Sequence, residues 1–191
     1  MHSCTAEMAR APDRITGIMA RMTVTLRALR GEPDEMADLQ RVLEGAPAYF
    51  ELTTGHPPGA AEAQSLFTVL PPDGVGYDRK LDWGIVTEAG LVGCIDVLRG
   101  WPAADTAHLG LMLIDEDHVG QGIGRAAFEA LERQVRQWPE ITRLRAAVVA
   151  TNAQVLPFWE RMGFARTGEV KPYRYDKLHS ESMILEKRLS N

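Results

Sequence analysis

Apolar and polar positions alternate from Thr23 to Leu29, the pattern of a half-buried strand. A helix is expected to open at Pro33, with Asp34 and Glu35 in its first turn. Its apolar stripe is Met36, Leu39, Val42 and Leu43, and Gly45 and Pro47 end it. Tyr49, Phe50 and Leu52 then lead to a turn over Gly55-His56-Pro57-Pro58-Gly59. Ala63, Leu66, Phe67 and Leu70 mark a second helix, stopped by Pro71-Pro72. From there the period is that of strands: Leu81–Thr87, a turn at Glu88-Ala89-Gly90, Leu91–Leu98 and Thr106–Ile114. An acidic connection (Asp115-Glu116-Asp117) and a glycine-rich loop precede the strongest helix, in which Ile123, Ala127, Leu131, Val135 and Trp138 fall three or four apart. Glu129–Arg133 and Glu132–Arg136 are favourable i,i+4 pairs on it, and Pro139 ends it. Leu144–Ala150 reads as a strand, and Asn152–Met162 as a short helix closed by Gly163. Pro157 would break the hydrogen-bond ladder of a helix begun at Asn152, so that helix starts at either residue. Phe164–Arg188 reads as two strands around a turn near Asp176-Lys177. The order β-α-α-β-β-β-α-β-α-β-β argues for one mixed α/β domain over residues 22–191, with residues 1–21 as an N-terminal extension.

At 191 residues such a domain buries a core without disulfides or metals. A formal net charge of −5 argues against nucleic acid as a partner and is compatible with a cationic substrate. The two cysteines, Cys4 and Cys94, form neither a disulfide framework nor a zinc pattern. No apolar run is long enough to span a bilayer, and Ile15–Ala20 is too short for a signal-peptide core, so a cytoplasmic protein without a membrane partner is expected.

The most informative stretch is Gly120-Gln121-Gly122-Ile123-Gly124-Arg125, between a strand and a helix. The first amides of a helix are unpaired and carry partial positive charge, and glycines let a phosphate approach them closely. Three alternating glycines exceed the needs of a turn, so the loop is expected to bind an anion, with Arg125 adding a cation at its mouth. Gly122-x-Gly124-x-x-Ala127 also fits a dinucleotide fingerprint. That fingerprint belongs in the first βαβ unit of a chain with an acid closing the second strand, whereas here the loop lies deep in the chain and Glu140 precedes the next strand.

These segments resemble the GNAT superfamily of acetyl-CoA-dependent N-acetyltransferases, over about Thr23–Leu189 in element order. Gly122 and Gly124 match the glycines of the family's Gln/Arg-x-x-Gly-x-Gly/Ala loop, and Val119 replaces its first polar residue. Asn152 through Phe164 resembles the family's Asn…Phe-Tyr-Glu-x-x-Gly-Phe segment. Asn152 matches the asparagine that hydrogen-bonds the cofactor, while also suiting a cap or turn. Trp159 occupies the place of a tyrosine that protonates the leaving thiolate, a task an indole does not perform.

The resemblance implies an α/β (α+β) fold with a mixed, mostly antiparallel twisted sheet of about seven strands flanked by about four helices. It implies direct acetyl transfer from acetyl-CoA to a primary amine of a small molecule or a protein, with a homodimer left open. The cofactor-binding residues implied are Met112, Leu113, Ile114, Val119, Gly120, Gln121, Gly122, Ile123, Gly124, Arg125, Asn152 and Trp159, and no metal is implied. A backbone amide of Met112, Leu113 or Ile114 would face the thioester carbonyl. His108, on the same strand, is the candidate general base; Asp115 and Glu116, acting through water, are others. Tyr173 and Tyr175 are candidate acids by type, and Tyr49 and Phe50 candidate acceptor-binding residues, with Glu51 and His56 nearby. A CoA-binding module without catalysis and a nicotinamide-dinucleotide oxidoreductase are the competing readings.

Overall fold

A computed structural model of the protein describes residues 23–71 and 76–189, so the extension expected over residues 1–21 lies outside the described residues. Seven strands form one sheet: β1 (Thr25–Ala28), β2 (Arg79–Thr87), β3 (Gly90–Arg99), β4 (Thr106–Ile114), β5 (Arg143–Val149), β6 (Ala165–Tyr175) and β7 (Leu178–Arg188). Their spatial order is β1-β2-β3-β4-β5-β7-β6, and every neighbouring pair is antiparallel except β4–β5.

Among the described residues five α-helices flank the sheet: α1 (Pro33–Glu44), α2 (Pro47–Thr54), α3 (Glu62–Thr68), α4 (Ile123–Val135) and α5 (Leu156–Arg161). The alternating and helical periods thus place nearly every element, with one correction: Pro47 does not merely end the first helix. It occupies the first turn of α2, where its missing N–H costs nothing. The start of the last helix resolves in the same way. Asn152 lies in a 3-10 segment (Ala150–Val155), and Pro157 sits in the first turn of α5.

Each sheet face carries its own core. On one face α4 buries Ile123, Ala127, Phe128, Leu131 and Val135 against Ile85, Ile95, Val97, Leu109 and Leu144, with Trp159 and Phe164 completing the layer. On the other, Leu39, Val42 and Leu43 of α1, Phe50 of α2 and Leu66 of α3 pack on Leu91, Cys94 and Leu113. Full burial of such a side chain contributes about 1.5–3 kcal/mol, so the two faces fix the helices on either side of β3 and β4.

Strand β4 is irregular in two places. The β3–β4 register shifts between Asp96 and Val97, so that Asp96 opposes Leu111, Val97 opposes Leu109, and Gly110 is the extra residue of a bulge. The parallel pairing with β5 ends at Leu109–Ala146 although both strands continue, to Ile114 and Val149. Beyond that pair β4 and β5 separate, and the alternate backbone groups on β4's inner edge face a gap.

Candidate active site

Three cavities run end to end along that gap. The first, about 420 Å³, lies at the N-terminus of α4 and is lined by Met112, Ile114, Val119, Gly120, Gly122, Gly124 and Arg125, among others. The second, about 180 Å³, is the slot between the separated strands, lined by residues 109–112 and 146–149 with Asn152, Val155, Phe158 and Trp159. It shares Met112, Val155 and Phe158 with the first. The third, about 290 Å³, opens under α2 and α3 and shares Tyr49, Thr53, Gly110 and Leu111 with the slot.

The α4 end has the features that an anion cradle needs. Gly120 and Gly122 adopt φ of +76° and +83°, a left-handed conformation that glycine takes without a Cβ penalty. Among the described residues no side chain caps the helix, which leaves its first amides free for a ligand. Gln121 turns back to donate from Nε2 to the Asp117 carbonyl (2.9 Å), and the Ile123 side chain is buried in the core. These two residues offer backbone rather than side-chain contacts. Leu113 points away, into the core beneath α1, while Met112 and Ile114 line the cavity.

The ionisable side chains lining the cradle are His118, Arg125 and Arg161, all able to carry positive charge. His118 and Arg161 were not selected from the sequence; a cation four residues after the tail-side Pro157 was the available signal. Val119 is 57% exposed at the mouth and offers no polar side-chain contact there. The Asn152 side chain is buried at the wall of the slot and bonds to none of the described residues, which leaves its amide available to a ligand. Trp159 lines the slot and packs edge-on against Phe128, Phe158 and Phe164.

The third cavity is lined by Tyr49 and Phe50, together with Thr53, Thr54, Glu62, Asp96, Tyr173 and Tyr175 among others. Tyr49 also lines the slot, and burial pushes its phenol up to about 12. Asp96 is the residue that reading the sequence missed. Its signal was a lone acid inside the apolar run Cys94-Ile95-Asp96-Val97-Leu98. Burial, opposed by the Lys80 ammonium, pushes its carboxyl up to about 6.

The other proposed bases are placed elsewhere. His108 is not among the residues lining these three cavities; it meets Trp101 edge-on at 4.5 Å, and its Nδ1 is buried without a partner. Burial and the nearby Arg145 and Lys171 push it down to about 4. Asp115 is buried and paired with His118, and Glu116 accepts from the Ala48 amide (2.9 Å), capping α2. His56 pairs with Asp176 at the surface (3.0 Å). Burial raises the Cys94 thiol well above its ordinary value, which leaves no thiolate for covalent transfer. Among the described residues no group of three or more His, Cys, Asp or Glu is placed to hold a metal ion, and no helix is long and apolar enough to cross a membrane.

Known proteins share both the sequence pattern and the fold. The sequence model of the Acetyltransferase (GNAT) family matches residues 48–164. An acetyltransferase from Thermus thermophilus is 27% identical, with a TM-score of 0.62 over 86% of this chain and 97% of its own. The ribosomal-protein-S18-alanine N-acetyltransferase of Escherichia coli shares the fold at 19% identity, with a TM-score of 0.63 over 88% of this chain and 96% of its own. The spermidine N-acetyltransferase of Vibrio cholerae, solved with CoA and spermine, shares it at 15% identity, with a TM-score of 0.61 over 86% and 95%. No curated protein matches the sequence.

Proposed function

Because the chain belongs to the acetyltransferase (GNAT) family, we propose that it transfers the acetyl group of acetyl-CoA directly to the primary amine of a small molecule. The observation that carries this reading is the continuity of the three cavities, which share lining residues at both junctions. A molecule with a diphosphate at one end, a thin arm and a reactive terminus has the shape of that path.

The free amides at the start of α4 and the side chains of Arg125 and Arg161 hold the diphosphate. The arm lies between β4 and β5, in reach of the Asn152 amide. The thioester carbonyl faces the open edge of β4, where a fixed backbone N–H stabilises the charge that develops on its oxygen. The amine enters from the third cavity and meets the thioester beside Gly110 and Tyr49, which line both spaces. Tyr49 stays protonated through the neutral range and donates to the departing sulfur, the role that Trp159 does not fill.

Family membership does not favour the dinucleotide oxidoreductase. The test is calorimetric titration with acetyl-CoA, followed by measurement of free CoA over a panel of small amines and of peptides with free N-termini or lysines. Saturable binding with amine-dependent CoA release supports the proposal. Binding without release from any amine supports a non-catalytic CoA-binding module instead.

A further inference from the structure

The acceptor cavity carries charge of one sign. Among the described residues lining it, the charged groups are the acids Glu62 and Asp96, with no Lys, Arg or His. Behind Asp96, Lys80 Nζ reaches Asp82 Oδ1 at 2.9 Å and Asp96 Oδ1 at 2.6 Å. All three side chains are at most 10% exposed. Two carboxylates share one ammonium, so the cluster retains one uncompensated negative charge away from bulk water. Such a charge is costly unless a proton or a cation joins it.

The geometry shows where that cation would arrive. Lys80 occupies Oδ1 of Asp96, whereas Oδ2 accepts no hydrogen bond from the described residues. Oδ2 lies over the bulge: a Cβ built on Gly110 would stand 2.7 Å from it. Gly110 lines both the acceptor cavity and the thioester slot. The unoccupied oxygen therefore sits where an amine must pass to reach the thioester, and glycine at 110 keeps the passage open. Aromatic rings of Tyr49, Phe50, Tyr173 and Tyr175 form the surrounding wall.

Resting on the acetyltransfer reading, we propose that Asp96 is the catalytic proton acceptor for the incoming amine, and that the cavity selects cationic amines with an apolar or aromatic body and no anionic group beside the nitrogen. The ammonium gives one proton to Asp96 Oδ2, and its freed lone pair forms the N–C bond. The C–S bond breaks; a second proton leaves the nitrogen and reaches sulfur through the Tyr49 hydroxyl. The amide keeps the third, and Asp96 returns its proton to solvent, so one proton is released per CoA formed. A carboxyl that titrates near pH 6 is matched to this work at neutral pH. The groups facing it are Lys80 and Asp82 of β2, Cys94 of its own strand, Tyr49 of α2, Glu62 of α3 and Tyr173 and Tyr175 of β6.

The test compares wild type with Asp96→Asn and Asp96→Glu on the amines that wild type acetylates. Asp96→Asn should lower kcat/KM at least about 100-fold, the usual scale for losing a general base, while acetyl-CoA affinity by calorimetry stays within about twofold. The acid limb of the wild-type kcat/KM profile, near pH 6, should vanish. A fluorinated analogue of the best amine, already neutral at pH 7, should lose less than about tenfold, and Asp96→Glu should recover part of the rate. Adding a carboxylate beside the amine should cost wild type at least about 100-fold, the scale of like charges brought together in a shielded site.

The proposal is overturned if Asp96→Asn stays within about threefold of wild type, or if charged and neutral amines suffer equally, since a merely structural role would do that. It is also overturned if the carboxylate-bearing amine is accepted as well as its parent. Failure of wild type to acetylate any amine sinks the acetyltransfer reading itself, and this proposal with it.

Discussion

The Tyr173 hydroxyl donates a 2.7 Å hydrogen bond to the carbonyl of Thr53, tying β6 to the last turn of α2. The Thr151 hydroxyl does the same for the neighbouring carbonyl of Leu52. Two orphan carbonyls at a helix end are thus satisfied, one by a strand whose Tyr173 lines the third cavity and one by the 3-10 segment beside the slot. The helix carrying Tyr49 and Phe50 is held in place over the gap by polar contacts as well as by its core residue Phe50. Tyr173→Phe should therefore cost about 1 kcal/mol in stability. It should raise KM for the amine while leaving acetyl-CoA affinity unchanged, as paired denaturation and steady-state measurements would show.

Tyr49→Phe keeps the ring packed edge-on against Phe50 and removes only the hydroxyl at the junction of slot and acceptor cavity. We expect kcat to fall about 100-fold, the lower end of the scale for losing a general acid, with acetyl-CoA binding intact by calorimetry. An unchanged kcat would mean that solvent protonates the thiolate.

The loop glycines separate into two kinds. At Gly122, with φ of +83°, alanine forces an L residue into the left-handed region at about 1–2 kcal/mol. Gly122→Ala should weaken acetyl-CoA binding about tenfold, as that energy is taken from the cradle. At Gly124, inside α4, a Cβ meets Ile114 and Phe158 at an ordinary 3.4 Å, so Gly124→Ala should bind within about threefold of wild type. Gly124→Leu extends toward two residues that line the cradle and should abolish binding while the protein stays folded. Calorimetry and circular dichroism on the three variants check this.

Val119 lies exposed at the mouth of the cradle, where a polar side chain would reach a phosphate oxygen. Val119→Gln should tighten acetyl-CoA binding about three- to tenfold, the value of one net hydrogen bond. Weaker binding would show that the diphosphate does not lie along this edge.

His108 titrates about 4 in the folded protein against an ordinary 6.5. The unfolded chain therefore takes up a proton first as pH falls. The neutral imidazole's contribution is complete above about pH 6.5 and is lost progressively toward pH 4, by about 1–3 kcal/mol. Asp96, raised to about 6 by burial, acts in the opposite direction over nearly the same window, because the folded state binds its proton first. The difference between wild type and His108→Leu isolates the histidine: the variant should lose less stability than wild type between pH 6.5 and 4 in denaturant titrations.

Much of this architecture was legible in the residues. Strand and helix periods placed the sheet and four of the five helices, because each element buries one face and the spacing of apolar positions records which. The helix from Pro47 escaped, since proline there suits the end of one helix and the start of the next equally well. The loop's geometry was legible because it is local: glycines, free amides and Arg125 lie within a single turn. The third cavity was not, because it is assembled across distance. Lys80, Asp82 and Asp96 meet through a β2–β3 register, and Gly110 meets Asp96 through a one-residue slip. His108, attractive by chemical type, faces Trp101 and Arg145 and lines none of the three cavities, an orientation set by the strand's alternation and by a bulge that its sequence does not announce.

The parting of β4 from β5 places two raw strand edges in the middle of a sheet instead of at its rim. At a rim, such edges invite another polypeptide to add on. Here α2 and α5 stand over the opening through Tyr49, Thr53 and Phe158, and the slot left beneath them holds only about 180 Å³. Something slender can lie against the bare backbone; a whole β-strand with side chains on both faces cannot. One interruption in the ladder thus exposes bare backbone without offering an edge to a neighbouring chain.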